Sequence, residues 1–213
     1  EVLSLVVDTD SFLPLSAAYA SEMITGLAML GGITVGIIAN AGKRLDAKMN
    51  RKAERFVRFC ERFNIPLISF IDAEGYAIGT AHEAGDLVDS AAALTSAFFD
   101  CTVPRISVIV GDAYGTAYLA LNSRSTGADL VYAWPTAEIA VTSSDTAAHI
   151  LFRKDIAAAA DPAAARKDFI NRYAREVAAP AVAASYGHVD EIIKPSATRP
   201  RLVSALDMLI AAY

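Results

Sequence analysis

The stretch Ile109-Val-Gly-Asp-Ala-Tyr-Gly-Thr-Ala-Tyr-Leu-Ala-Leu121 decides the fold. An apolar run leads into it from Ile106, and the stretch carries no charge after Asp112. This pattern predicts a buried strand over Ile106–Val110, a glycine-containing turn, and a short helix from about Gly115. Backbone N–H groups at a helix start have no acceptor within the helix, so they are free to hold an anion.

Strands and helices alternate on the N-terminal side of this junction. Gly31-Gly32 between Glu22–Leu30 and Ile33–Ala39 predicts a hairpin, and Leu67–Ile71 is an apolar run of strand length. Amphipathic helices are predicted over two segments, Leu45–Phe63 and Glu83–Asp100. Their buried stripes comprise Met49, Ala53, Phe56, Val57, Cys60 and Phe63, and then Leu87, Val88, Ala91, Leu94 and Phe98.

On the C-terminal side, strands are predicted at Leu130–Ala133 and Ile139–Val141, with an edge strand at Val189–Ile193. Thr198-Arg199-Pro200 opens the last predicted helix. The alternation indicates an α/β fold with partly parallel pairing. No linker interrupts the pattern, so residues 1–213 are expected to form one domain.

Composition excludes several classes of function. Apolar residues make up 54% of the 213 residues, but no run is long enough to span a bilayer. The net charge of −5 and the scattered Lys and Arg residues argue against nucleic-acid binding. No signal peptide is evident, so a cytoplasmic location is expected. The alanine-rich helices indicate close packing between subunits in an oligomer.

Side chains that usually carry catalysis are sparse. The sequence has no Gly-x-Ser-x-Gly motif, and neither cysteine has metal-ligand spacing. His82, His149 and His188 are far apart, so no metal site is predicted, and His188 is expected to be structural. The loops Ile71–Thr80 and Gly111–Tyr118 each follow a buried strand, and such loops meet at one edge of a parallel sheet. Together they predict a ligand site without specifying its reaction.

Several segments resemble the C-terminal half of biotin-dependent acyl-CoA carboxyltransferases. Tyr114-Gly-Thr-Ala-Tyr118 is similar to their YGGAY signature, and Ala133-Trp-Pro-Thr-Ala-Glu-Ile-Ala-Val141 to AWPTAxIAV. Asn64-Ile-Pro-Leu followed by Asp72-Ala-Glu-Gly-Tyr-Ala-Ile-Gly-Thr80 resembles FNIP…DVPGFLPGT. Gly187-His-Val-Asp-Glu-Ile-Ile193 with Pro195–Arg199 resembles GYVDxVIxPxxTR. The resemblance implies a crotonase-type fold of ββα units.

The family resemblance also implies a chemistry. Negative charge forms on the ureido oxygen of biotin, and preorganised donors must hold it. By resemblance, those donors are the backbone amides of Thr116 and Ala117, and Leu119 lines an acyl pocket. The other implied contacts with substrate or cofactor are Gly75, Tyr76, Gly79, Tyr114, Gly115, Thr142 and Ser143.

The same resemblance implies partners. Biotin would arrive on a biotin carboxyl carrier protein, acyl-CoA would be the substrate, and an N-terminal carboxyltransferase half would complete the site. A trimer-based homo-oligomer is also implied.

The sequence departs from the family pattern near the expected site. Thr116 replaces the second glycine of YGGAY, and Ala73-Glu-Gly-Tyr76 replaces VPGF. Val141-Thr-Ser-Ser-Asp-Thr-Ala-Ala148 lacks both glycines of VMGxxGAV. A biotin-dependent decarboxylase subunit and a non-catalytic assembly subunit therefore remain as alternatives. A hydratase is a further one, with Glu74 or Asp145 as its carboxylate.

Overall fold

The computed structural model of the protein describes residues 2–211. Its strands are β1 Leu13–Pro14, β2 Met23–Leu30, β3 Ile33–Asn40, β4 Arg44–Leu45, β5 Leu67–Ala73, β6 Gly75–Tyr76, β7 Arg105–Tyr114, β8 Leu130–Ala133, β9 Glu138–Ala140 and β10 Glu191–Ile192. Its helices are α1 Val2–Val6, α2 Ala47–Arg62, α3 Thr80–Glu83, α4 Leu87–Asp100, α5 Gly115–Ala120, α6 Ser144–Leu151, α7 Arg153–Ala158, α8 Pro162–Tyr173, α9 Pro180–Ser185 and α10 Thr198–Ile210. A π-helical turn, Ala174–Ala178, lies between α8 and α9.

A mixed sheet forms the centre of the molecule. Its order is β1-β2-β3-β5-β7-β8-β10, and β9 pairs with the last residues of β7. The hairpin β2–β3 is antiparallel as predicted, while β3, β5, β7, β8, β9 and β10 are joined by parallel pairings. The α/β prediction is therefore confirmed.

Helices cover both faces of the sheet, which explains why its central strands are continuous apolar runs. One face packs against α2, α4 and α5, whose buried residues include Val57, Phe98 and Ala117. The opposite face carries Ile37, Ile68 and Ile106 among its buried residues. The helices α1 and α10 cover that face with Val6, Leu202, Ala205 and Leu206.

Two residues assigned to buried stripes are exposed instead. Phe63 is 60% exposed because it lies at the C-cap of α2, after the last helical turn. Val88 is 73% exposed, while its neighbours Leu87 and Ser90 face the core. In both cases the helix was predicted, but the residue at the end of the helix was assigned to the buried face and lies on the exposed one.

Several predicted boundaries were also wrong. Helix α2 begins after Leu45, because Asp46 caps it by accepting a hydrogen bond from the Met49 amide at 2.8 Å. The predicted helix Glu83–Asp100 is divided into α3 and α4. The predicted turn at Gly111–Tyr114 is strand, because β9 continues the pairing of β7 there. The predicted edge strand Val189–Ile193 shortens to β10, and Ile139–Val141 begins one residue earlier as β9.

Candidate functional site

The junction between β7 and α5 requires a glycine. Gly115 has φ of +57°, in the left-handed region that L residues avoid. A Cβ atom placed on it would lie 3.0 Å from the carbonyl oxygen of Val141. Gly115 therefore permits both the sharp turn into the helix and the close approach of the segment that follows β9.

Helix α5 begins with amides that lack intrahelical acceptors. Thr116 and Ala117 are its second and third residues, and the N-cap residue Tyr114 makes no side-chain capping hydrogen bond. Ala117 is 1% exposed, so its methyl group packs into the core. The Thr116 side chain is exposed. The two predicted donor residues are therefore adjacent at the start of the helix, where the backbone can donate to an external acceptor.

Three concave regions surround α5. We name them the apolar cavity, about 460 Å³, the apolar groove, about 390 Å³, and the polar cleft, about 490 Å³. The apolar cavity is lined by Gly115, Thr116, Tyr118, Leu119, Arg124, Ser125, Ile139, Ala140, Val141, Val177, Val182, Ala183, Tyr186 and His188. The apolar groove is lined by Tyr76, Leu87, Val88, Ala91, Ala92, Thr95, Thr116 and Leu119. The polar cleft is lined by Arg44, Glu74, Gly75, Tyr76, Ile78, Asp112, Tyr114, Thr142, Ser143 and Thr146.

These three regions gather most of the residues expected at the site. Thr116 and Leu119 lie between the apolar cavity and the apolar groove, since both line each of them. Gly75, Tyr76 and Tyr114, which belong to the two loops, line the polar cleft together with the expected residues Thr142 and Ser143. Gly79 and Ala117 line none of the three. Gly79 is the N-cap of α3, with φ of +121°, and the Ala117 side chain is buried in the core.

A network of charged side chains lies beside the polar cleft. The Lys43 ammonium group is 2.6 Å from Asp112, 3.4 Å from Asp72 and 3.7 Å from Glu74. The hydrogen bond to Asp112 raises the pKa of Lys43 above its usual value. Lys43 therefore stays protonated and partly offsets the surrounding negative charge.

The phenol of Tyr114 belongs to the same network. Its oxygen lies 2.6 Å from Glu138 and 3.0 Å from Asp112. Burial raises the pKa of Tyr114, and the two adjacent carboxylates raise it further. Tyr114 is therefore a neutral hydrogen-bond donor throughout the physiological pH range.

Sequence reasoning missed several of these side chains. His188, expected to be structural, lines the apolar cavity, as does Tyr186. Lys43, Asp112 and Glu138 were also missed, although Glu138 lies within the Ala133–Val141 segment that carries the family resemblance. The sequence pattern around these residues does not mark them as part of the site, because they are brought together only by contacts between distant parts of the chain.

The structure also bears on the hydratase alternative. The Asp145 carboxylate is held by Arg166 at 2.8 Å, and its side chain is 58% exposed. Of the two carboxylates considered, Glu74 alone lines one of the three regions around α5. The hydratase alternative therefore keeps Glu74 as a candidate carboxylate but not Asp145.

The remaining reactive groups are inert or dispersed. Burial raises the pKa of Cys60 to about 12 and that of Cys101 to about 12, so neither thiol is a nucleophile at neutral pH. Among residues 2–211 no cluster of three or more His, Cys, Asp or Glu is arranged to hold a metal ion. Within the same part of the chain, no helix is both long enough and apolar enough to cross a membrane.

The fold and the site together define an α/β protein with a strand-to-helix junction set between apolar and polar clefts. A family model described as the carboxyl transferase domain matches residues 1–212. The chain therefore belongs to the carboxyl transferase domain family.

Two similar proteins have names that describe carboxylation or carboxyl transfer. The methylmalonyl-CoA carboxyltransferase 12S subunit of Propionibacterium freudenreichii is 42% identical over 212 residues, or 98% of this chain and 40% of its own length. The propionyl-CoA carboxylase carboxyltransferase subunit of Haloferax mediterranei is 42% identical over 213 residues, or 98% of this chain and 41% of its own. The chain thus spans about two fifths of the length of these relatives.

Solved structures confirm the fold. A transcarboxylase 12S crystal structure, described as a hexamer assembly with methylmalonyl-coenzyme A bound, matches with a TM-score of 0.94 at 42% identity. The match covers 99% of this chain and 41% of that one. The geranyl-CoA carboxylase β subunit of P. aeruginosa, at 21% identity, has the same fold with a TM-score of 0.87. The predicted crotonase-type α/β fold is confirmed.

Proposed function

We propose that this chain carries the biotin side of a biotin-dependent carboxyltransferase, which transfers a carboxyl group between carboxybiotin and a small acyl-CoA. The observation that carries the proposal is the start of α5, where Thr116 lines the apolar cavity and the adjacent amides of Thr116 and Ala117 lack a side-chain cap. When bound, biotin supplies the carboxyl group and bears developing negative charge on its ureido oxygen.

The residues of this chain fit such a group. The amides of Thr116 and Ala117 would donate hydrogen bonds to the charged oxygen, and no titratable side chain is needed for that task. Ile139, Ala140 and Val141 line the same cavity and would give the donors an apolar surrounding once the site is covered. Low local polarity strengthens each of these hydrogen bonds.

The acyl group would lie on the other side of α5. Leu119 and Thr116 separate the apolar cavity from the apolar groove, whose lining suits a short alkyl chain. Gly75, Tyr76 and Gly79 would shape the loop that faces the helix, and Tyr114, Gly115, Thr142 and Ser143 would line the approach.

The missing parts of the site would come from partners. Because the chain spans about 40% of its relatives, we expect an N-terminal carboxyltransferase half to hold the acyl-CoA and a biotin carboxyl carrier protein to deliver biotin. The related 12S subunit is described as a hexamer, which supports a trimer-based homo-oligomer here.

A decarboxylase role has support of its own. The methylmalonyl-CoA decarboxylase α subunit of Propionigenium modestum is 41% identical over 98% of this chain. Such an enzyme would use the same amides, and only the net direction of carboxyl transfer would differ.

Proline variants test the role of the amides. Thr116→Pro and Ala117→Pro each delete one N–H group in the first turn of α5, where a proline breaks no intrahelical hydrogen bond. In the complex with the companion half and the carrier, each should slow carboxyl exchange with biotin by about 100-fold, equivalent to about 3 kcal/mol.

The matched control is Lys154→Pro, at the second position of another short, uncapped helix, α7. It should exchange at the wild-type rate. If both α5 variants also retain that rate, the amides do no chemistry and the assembly-subunit alternative is favoured.

A further inference from the structure

Side chains continue the sheet beyond the point where backbone pairing is interrupted. The regular register between β5 and β7 is broken between Ile71 and Ala73. There Asp72 donates its amide to the Asn40 side chain at 3.1 Å, and its carboxylate accepts from the Asp112 amide at 2.9 Å. The two side chains thus join β3, β5 and β7 at their carboxyl ends.

The same chain of contacts reaches the far wall of the site. The Tyr114 hydroxyl donates to Glu138 at 2.6 Å, which connects β7 to β9. Glu138 also accepts from the Ser144 hydroxyl at 3.0 Å, which connects β9 to the start of α6. Between these two anchors lies the segment 141–143, which contributes to the walls of both the apolar cavity and the polar cleft.

Tyr114 adds a side-chain link to the backbone pairing between β7 and β9. It is 5% exposed, so water cannot readily replace its hydrogen bond. Its oxygen also lies 3.0 Å from Asp112, whose other oxygen is bound by Lys43 at 2.6 Å. Without the hydroxyl, Asp112 and Glu138 would face each other with no donor between them, and like charges at short range repel.

We propose that the Tyr114 hydroxyl is a positioning group that holds the segment 141–143 against the start of α5. Gly115 follows Tyr114 directly and lies against the Val141 carbonyl, so separation of the two strands would move the donor amides relative to the cavity wall. The consequence for catalysis rests on the proposed function, whereas the consequence for the local structure does not.

Amide hydrogen exchange tests the structural part directly on the 213-residue chain. Tyr114→Phe should accelerate exchange by about tenfold in segments 115–118 and 138–146, consistent with the loss of a charge-assisted hydrogen bond. Tyr132→Phe is the matched control, since Tyr132 is similarly buried in the same sheet but lies outside the three regions around α5. Unchanged exchange of residues 138–146 in Tyr114→Phe would overturn the proposal.

Substitutions of the acceptor give a second test. Glu138→Gln keeps an oxygen that accepts from both Tyr114 and Ser144, so exchange in these segments should stay close to that of the wild type. Glu138→Ala removes the acceptor and should match Tyr114→Phe. Equal acceleration in the Gln and Ala variants would mean that charge or packing, and not this hydrogen bond, holds the segment.

Kinetics of the complete complex test the catalytic part. Tyr114→Phe should lower kcat for carboxyl exchange by about tenfold with little change in KM for biotin, because misplaced donors weaken transition-state binding first. An unaltered kcat beside an active wild type would overturn the catalytic consequence. An inactive wild-type complex would instead refute the proposed function, and hydrogen exchange would still decide the structural claim.

Discussion

A side chain at position 115 would meet two separate obstacles, which are the positive φ and the Val141 carbonyl oxygen. Gly187 has a similar φ of +77°, but a Cβ atom there would have no neighbour within 4 Å. The two glycines therefore separate the conformational cost of a side chain from its steric cost.

We predict that Gly115→Ala destabilises the protein more than Gly187→Ala does. The second variant should lose about 1 kcal/mol for the left-handed backbone alone. The first should lose at least about 1 kcal/mol more, because the backbone at Val141 must move. Urea unfolding of both variants measures the difference, and equal midpoints with equal slopes would show that the close approach at Val141 costs nothing.

Leu119 permits a prediction about the acyl substrate. It is 39% exposed and lies between the apolar cavity and the apolar groove. Leu119→Ala should therefore raise kcat/KM for butyryl-CoA relative to propionyl-CoA by about tenfold, the value of one methylene group in an apolar pocket. Ile150→Ala, at an exposed residue outside these regions, is the control, and an unchanged ratio in Leu119→Ala would place the acyl group elsewhere.

At the scale of single residues, the backbone conformation at the β7–α5 junction could be predicted from the sequence, but the contacts between charged side chains could not. The glycine at 115 and the helix start were readable from a local pattern of small residues. The contact between Lys43 and Asp112 joins residues 69 positions apart, and no periodicity reports such a pair. The place of His188 in the cavity lining was not predicted for the same reason, because that cavity is formed by α5, β9 and α9 together.

Among the elements, α10 is fastened to the β2–β3 hairpin through one carboxylate. Asp8 accepts hydrogen bonds from Arg199 and from the amides of Gly31 and Gly32. Those donors, Arg199 foremost, lower the pKa of Asp8 below its usual value. The contribution of Asp8 to stability is therefore fully present above its unfolded-state pKa and is lost as the pH falls through the lower, folded-state value.

We accordingly predict that Asp8→Asn lowers Tm at neutral pH and weakens its dependence on acid. Between about pH 5 and about pH 3, Tm should fall less in the variant than in the wild type. Thermal unfolding across this range measures both slopes, with Asp10→Asn as a control at a neighbouring exposed aspartate. Parallel slopes for Asp8→Asn and the wild type would contradict the assignment.

The elements themselves were largely predictable, and their ends were not. Long periodic segments such as α2 and the apolar strands were identified because burial imposes their pattern. The start of α2 depends on a capping side chain, Asp46, and the end of β7 depends on β9, a partner more than twenty residues later. Local sequence patterns do not predict boundaries that are set by such contacts.

At the scale of the whole molecule, the chain corresponds to about 40% of its relatives, and its site is open to solvent along α5. Leu119, Val141 and Tyr186 line the apolar cavity with exposed fractions of 39%, 85% and 77%. A dry environment for developing charge therefore requires a cover that residues 2–211 do not provide.

We predict that this chain alone catalyses almost no carboxyl transfer, and that activity appears when the companion half and a biotinylated carrier are added. Transfer of labelled carboxyl from a carboxylated acyl-CoA to biotin measures it. Complexes assembled with Thr116→Pro provide the matched negative control. Substantial turnover by the chain alone would contradict a divided site.

The covering of the second sheet face by α1 and α10 has a consequence for biosynthesis. Ile37, Ile68 and Ile106 are synthesised before Leu202 and Leu206, which cover them and follow them by about a hundred or more residues. Until then, the nascent chain exposes this apolar face of the sheet to solvent. We expect chaperones that bind such surfaces to retain the growing polypeptide until the α10 sequence has been synthesised.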